Sequence, residues 1–195
     1  METVSFTRMA DGTQADYDLL GRCEDEYLAQ LPLRLLKALD GLKESFPGYQ
    51  VSRYEHSLQS GSRALRAGED EEYVVAALLH DIGDELAPHT HGEMVAAILQ
   101  PYVDPRVCWI VSHHGIFQSY YYADFTGGDR HARDRYEEHP WYRDAIEFCE
   151  RYDQNCFDPA YESLPIETFV PLVERVFAEP RYLAPERVPQ MKTTS

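Results

Sequence analysis

Residues 71–84 read EEYVVAALLHDIGD. An acidic start gives way to six apolar residues, Val74 to Leu79, which lead directly into His80 and Asp81. A helix that is apolar on nearly every face belongs in the middle of a fold. The pattern predicts a central helix over 71–81, ended by Gly83. An imidazole beside a carboxylate at the end of such a helix needs a partner, because burying an unpaired carboxylate costs several kcal/mol or forces it to take up a proton. A divalent metal that binds imidazole nitrogen and carboxylate oxygen together meets that need.

Outward from this segment the chain reads as helices throughout. Leu19, Leu20, Leu28, Leu31, Leu35, Leu36, Leu39 and Leu42 recur at three- and four-residue steps across an N-terminal helical segment, residues 15–46, broken or restarted at Pro32. A helix from Ser52 to Ala67 ends at Gly68, and others are expected over His91–Gln100 and from Asp104-Pro105, an N-cap followed by proline in the first turn. The polar stretch from Tyr122 to Pro140 reads as a loop and a candidate lid. Trp141–Phe157 and Ile166–Ala178 are the last two helices, followed after residue 180 by a loosely held, proline-containing tail. No alternating strand pattern and no repeat is found. The expected fold class is therefore all-α, a helical bundle, with residues 1–195 forming a single domain and the chemistry-bearing core at about 50–157.

Length and composition agree. The 195 residues suit one domain with its own core. With 18 Lys and Arg against 34 Asp and Glu, the net charge is −16. Such a surface repels phosphate backbones, so nucleic acid is not an expected partner. No run of about 18 apolar residues predicts a membrane span, and the N-terminus does not resemble a secretory signal. Cys23, Cys108, Cys149 and Cys156 form no CxxC and read as scattered thiols of a reducing, cytoplasmic setting.

A lone His-Asp pair is more often structural than functional. Here it has company. His56 lies on the preceding predicted helix, His91 opens the next, His113-His114 close the one after, and Asp153 lies in a later helix. Inward-pointing side chains from several helices are how metal sites are built in bundles. His56, His80, Asp81 and Asp153 fill one site; His91 and His114, with Asp81 as a bridge, hold a second. Histidine with carboxylate suits iron or manganese rather than magnesium or calcium, and zinc is also compatible with these ligand types.

The order H…HD…H…H…D resembles that of the HD-domain superfamily. Leu79-His80-Asp81-Ile82-Gly83-Asp84 is similar to its core signature. Tyr54-Glu55-His56-Ser57-Leu58-Gln59-Ser60, His113-His114-Gly115-Ile116-Phe117-Gln118 and Arg151-Tyr152-Asp153-Gln154 resemble segments of one subgroup, the mixed-valent diiron oxygenases. That subgroup includes myo-inositol oxygenase and the small phosphonate-cleaving PhnZ- and TmpB-type enzymes, which this chain resembles more in size. The resemblance implies an HD-domain bundle, two iron ions as an Fe(II)/Fe(III) pair held by His56, His80, Asp81, His91, His114 and Asp153, and an oxidoreductase that uses O2 to cleave the C–P bond of a 1-hydroxyphosphonate.

The chain departs from the aminoethylphosphonate enzyme of that branch. A Tyr and a Glu that precede the first His there correspond to Phe46 and Tyr49 here, with no Glu; a Lys four residues after the fourth His becomes Gln118; a His after the HD-Ile-Gly run becomes Asp84. Asp84 with Tyr49 and Tyr120, in the run Tyr120-Tyr121-Tyr122, offers the carboxylate and aromatic faces that attract a quaternary ammonium. The sharper expectation is (1-hydroxy-2-(trimethylammonio)ethyl)phosphonate, yielding glycine betaine and phosphate. Arg130 and Arg133 in the polar loop are the candidate phosphonate-binding cations, with Gln118 also at the substrate. Two rivals remain: a metal-dependent phosphohydrolase needing only His56, His80, Asp81 and Asp153, and a non-catalytic HD module that binds a small ligand.

Overall fold

Nine α-helices and no strand occur among residues 2–183, the part of the chain that the computed structural model describes. The N-terminal segment forms α1 (Gln14–Ala29) and α2 (Leu31–Gly41), with Pro32 in the first turn of α2. Thr13 caps α1 in a reciprocal box with Asp16. Only α2 behaves as its leucines predict: Leu35, Leu39 and the following Leu42 are buried, whereas Leu20 and Leu28 of α1 are exposed. The spacing in α1 makes a stripe, but the helix extends away from the core and no other described residue buries Leu20 or Leu28.

Helix α3 (Arg53–Ala67) is boxed by Ser52 and Glu55 and stops at Gly68, whose φ of 83° is the left-handed conformation that glycine adopts at little cost. Helix α4 (Glu71–Leu79) is the centre of the molecule, with Val74 through Leu79 all sealed from solvent. It packs on α3 and on later helices described below. The sequence pattern extends this helix to 81; it ends at Leu79, so His80 and Asp81 open the turn beyond it. There the carbonyls of the last helical turn lack helix partners, and His80 Nδ1 bonds one of them, Ala77 O, at 2.7 Å.

Helices α5 (His91–Leu99) and α6 (Pro105–Gln118) form a close pair. Asp104 caps α6 as expected, its Oδ1 accepting from Arg106 N at 2.7 Å. The stretch 122–140 is not wholly a loop: α7 (Ala123–Thr126) and a 3-10 segment, Ala132–Tyr136, lie within it. The single helix expected over 141–157 is instead α8 (Tyr142–Phe148) followed by one π-helical turn, Cys149–Asp153, closed by Gln154 N donating to Cys149 O at 2.9 Å. Helix α9 (Ile166–Val176) packs against α4 and α2, and α6 also touches α4. Just past residue 180 the chain is anchored rather than loose: Arg181 N and Tyr182 N both donate to Pro101 O, at 2.8 and 2.9 Å. The rest of the expected tail, 184–195, lies outside the described residues. No helix among the described residues is long and apolar enough to cross a membrane. Three cysteines are buried, but Cys23, on the uncovered α1, is exposed.

Candidate metal centre and its cleft

Six side chains from five places in the fold meet in the interior. His56 comes from α3, His80 and Asp81 from the end of α4, His91 from the start of α5, His114 from α6 and Asp153 from the π turn. Five of them are buried, and His91 is partly exposed. The π turn adds one residue to a helical circuit and so re-aims the side chain at its end, a common use of such turns at functional sites.

Asp81 organises the cluster. Its Oδ2 lies 3.2 Å from His56 Nε2 and 3.2 Å from His80 Nε2; its Oδ1 lies 3.5 Å from His91 Nε2 and 3.3 Å from His114 Nε2. Each carboxylate oxygen thus faces its own imidazole pair. Within the pairs the Nε2 atoms are 3.2 Å apart (His56 and His80) and 3.0 Å apart (His91 and His114). Asp153 Oδ1 completes the first pair at 3.6 Å from His56 and 3.8 Å from His80. It also falls within one 4.8 Å group with His80 and His114.

The proton inventory shows what this geometry demands. A carbonyl oxygen can only accept, so Nδ1 carries the hydrogen wherever it meets one. His56 Nδ1 meets Cys156 O at 3.1 Å, His80 Nδ1 meets Ala77 O, and His114 Nδ1 meets Val111 O at 2.6 Å. The neutral tautomers therefore turn Nε2 lone pairs toward one another and toward carboxylates. Asp81 Oδ1 and Asp153 Oδ2 are buried without a hydrogen-bond partner. Lone pairs and orphaned carboxylate oxygens at such separations repel unless a cation sits among them. Nitrogen and oxygen donors with Nδ1–H anchored to backbone carbonyls are the usual arrangement of histidine–carboxylate metal sites. The residues fit two metal ions sharing Asp81.

The electrostatics agree. Burial works to lower the His80 pKa, yet Asp81 and Asp153 override it and raise it to about 10. Burial likewise opposes the Asp81 charge, but His80 and Arg53 hold the carboxyl well below its ordinary range. His91 is lowered, first by burial and then by His114. The His80 proton thus balances Asp81 and Asp153, and a metal ion bound there competes with it.

A cleft of about 700 Å³ adjoins the cluster, lined by Phe46, Tyr49, Arg53, Asp84, Gln118 and Tyr122 among others. Of the expected substrate contacts, Tyr49, Asp84 and Gln118 line it. Two of these are already engaged. Asp84 Oδ2 accepts from Arg53 Nε at 2.9 Å and its Oδ1 lies 3.4 Å from His91 Nδ1, so its charge orients neighbours instead of standing free for an ammonium. Gln118 Nε2 donates to Asp153 Oδ1. Tyr49 is half exposed and stacks on Phe157, whose ring also stacks on His56 at 4.4 Å.

Tyr120, Arg130 and Arg133 are placed elsewhere. The Tyr120 ring takes the Arg133 guanidinium at 3.6 Å and that of Arg130 at 4.3 Å, and Arg130 also pairs with Asp124. None of the three lines the cleft. An aromatic face already covered by guanidinium has none left for a ligand. The residues that sequence reasoning missed are Arg53 and Phe157. Arg53 stands three residues before His56, hence on the same helix face, a signal the spacing carried. Phe157 follows Cys156, whose carbonyl holds His56, and only the fold reveals that link.

The HD domain family model matches residues 53–146, a segment that includes His56, His80, Asp81, His91 and His114 and stops short of Asp153. The match supports the HD superfamily, and with the buried His/Asp cluster it is consistent with a metal-dependent HD enzyme. No curated protein matches the chain significantly.

Proposed function

We propose that this HD-domain chain is a diiron oxygenase that cleaves the C–P bond of a 1-hydroxyphosphonate. The observation that carries the reading is the two-sided use of Asp81, each oxygen facing its own imidazole pair. A single-metal hydrolytic centre needs His56, His80, Asp81 and Asp153 and leaves His91 and His114 without work. When bound, an Fe(II)/Fe(III) pair supplies the one-electron and O2 chemistry that side chains lack.

The protein's own part is to hold and to shape. His56, His80 and Asp153 would hold one ion and His91 and His114 the other, with Asp81 shared between them. Gln118 steers Asp153, while Phe157 covers His56 and keeps water from that side. Three carboxylates (Asp81, Asp84, Asp153) and one guanidinium leave the metal-free site negative; an Fe(II)/Fe(III) pair would reverse the sign, as a phosphonate requires. Phe46, Tyr49 and Tyr122 at the outer wall present aromatic faces, and Glu44 and Glu85 add negative charge. That surface suits the trimethylammonium end of (1-hydroxy-2-(trimethylammonio)ethyl)phosphonate. The reaction balances without an outside reductant: of the two O2 atoms, one goes to carbon to give the carboxylate and one to phosphorus to give phosphate, while the substrate's C–H and C–P bonds supply the four electrons.

The test is phosphate release from the 1-hydroxyphosphonate by iron-loaded protein, with and without O2. Release that requires O2 and consumes one equivalent supports the proposal. Oxygen-independent release refutes it, and a protein inert on the phosphonate that releases phosphate from a phosphate monoester without O2 is instead a metal-dependent phosphohydrolase, the more usual activity of HD domains. No turnover in either case favours the ligand-binding module. Equal kcat/KM for the trimethylammonio substrate and its primary-amine analogue removes the quaternary-ammonium assignment alone.

A further inference from the structure

The geometry points to Arg53 as the residue that grips the phosphonate group, in the role for which the polar loop offered Arg130 and Arg133. This rests on the proposed reading of the cleft but concerns a separate property, the binding of a tetrahedral oxyanion.

Arg53 is the first residue of α3, one turn before His56, and its side chain is 11% exposed. Two carboxylates fix its guanidinium: Nη2 donates to Asp81 Oδ2 at 2.6 Å and Nε to Asp84 Oδ2 at 2.9 Å. An arginine guanidinium is protonated at any working pH. The group is therefore both charged and immobilised before any ligand arrives. Its Nη1 end is open. Nη1 has no acceptor among the described residues and is not sealed from solvent, and Arg53 lines the cleft. Nη2 lies 2.9 Å from Asp84 Oδ2 as well, so the two carboxylates take Nε and Nη2, and the N–H groups of Nη1 are the donors left for a phosphonate oxygen.

The alternatives are occupied. Arg130 and Arg133 lie against Tyr120. Lys43, on the segment leading to the cleft, is paired with Asp40 and lies over Tyr54. Among the described residues lining the cleft, Arg53 is the one basic side chain. Its guanidinium carbon lies 5.8 Å from the centre of the Tyr49 ring. An anionic group on Arg53 and a cationic group on the aromatic wall therefore suit the two ends of one short zwitterion, with the metal candidates beside the anionic end.

The experiment measures binding of methylphosphonate and of inorganic phosphate to the metal-loaded protein by calorimetry, for wild type, Arg53→Gln, Arg53→Lys and Arg130→Gln. Metal content is counted for each. Loss of a charge-assisted hydrogen bond predicts a methylphosphonate Kd weakened about 10- to 100-fold in Arg53→Gln, a smaller loss in Arg53→Lys, and no change in Arg130→Gln. With a turnover substrate the effect falls on KM more than on kcat. This pattern supports the inference even if turnover proves independent of O2, so the two proposals fail separately. An Arg53→Gln protein that keeps its metals and binds methylphosphonate like wild type overturns it, as does weakening in Arg130→Gln instead, or a wild type that binds neither anion. If Arg53→Gln loses metal, Arg53→Lys decides, and a wild-type Kd there overturns the inference.

Discussion

Alanine at Gly92 tests how the second imidazole pair is held. Gly92 is the second residue of α5, next to His91, where α5 crosses α6. A Cβ there would sit 2.8 Å from Val111 O, 3.1 Å from Ser112 O and 3.3 Å from His114 Cε1. The first two are backbone atoms and cannot rotate aside, so α5 itself must move. Overpacking of this kind costs about 1–3 kcal/mol. The opposing gain in helix propensity is at most ~1 kcal/mol in a helix interior and smaller in a first turn. The clash wins by roughly 1–2 kcal/mol. For a chain of this size that lowers Tm by about 2–8 °C. The shift also opens the 3.0 Å contact between His91 and His114. Melting of the metal-free protein followed by circular dichroism gives the first quantity, and metal counting after loading gives the second: about one equivalent retained in place of two. Gly115→Ala is the control, since a Cβ there meets nothing within 4 Å. A Gly92→Ala protein that melts like wild type and still binds two metals would refute this account of the α5–α6 contact.

Three further outcomes are expected. His91→Ala removes a side chain that meets only the Oδ1 face of Asp81, so metal content falls by one equivalent while the His56–His80 half still loads; loss of both ions would show that the halves do not load separately. Native protein at pH 8 alkylates at Cys23 alone, because burial pushes Cys108 up to about 11 and raises Cys149 and Cys156 as well; mass spectrometry showing more than one label on folded protein contradicts this. Asp16, held below its ordinary value of 3.8 by the Thr13 hydroxyl and by the Ser5 and Thr13 amides, contributes stability that is complete above that value and fades as the pH falls toward the lower folded pKa. Wild-type α1 should therefore lose helicity in acid more steeply than Asp16→Asn, and parallel acid titrations of the two proteins would count against the cap.

The ligand-type residues were legible because each is tied to a helix end or a helix face, which sequence period marks well. His80 and Asp81 follow the most apolar run in the chain, His91 opens a helix, and Asp104-Pro105 sets the start of the helix that carries His114. Period also signals an amphipathic stripe without saying what covers it, and so Leu20 and Leu28 are exposed on α1. The π turn left no mark at all. Cys149 to Asp153 reads as ordinary helix, and only the bond from Gln154 N to Cys149 O reveals the extra residue that turns Asp153 inward.

The cleft was the least legible part, and the reason is chemical. Metal ligation is a property of residue type: a buried imidazole or carboxylate near others of its kind has few other uses. Recognition by Arg or Tyr is a property of what remains unpaired once the chain has folded. Tyr120 and Tyr49 are equally aromatic in the sequence, yet one is covered by two guanidinium groups and the other, stacked on Phe157, is half exposed and lines the cleft. Asp84 and Arg53 carry opposite charges of equal size, but Asp84 is engaged on both oxygens whereas Arg53 retains an open Nη1. The substrate side of the site is thus decided by leftovers: the donors, acceptors and ring faces that internal pairing has not consumed. Arg53 holds the only such cation among the described residues of the cleft, and a single guanidinium fixed between two carboxylates leaves little slack in how an anion can approach the six converging side chains.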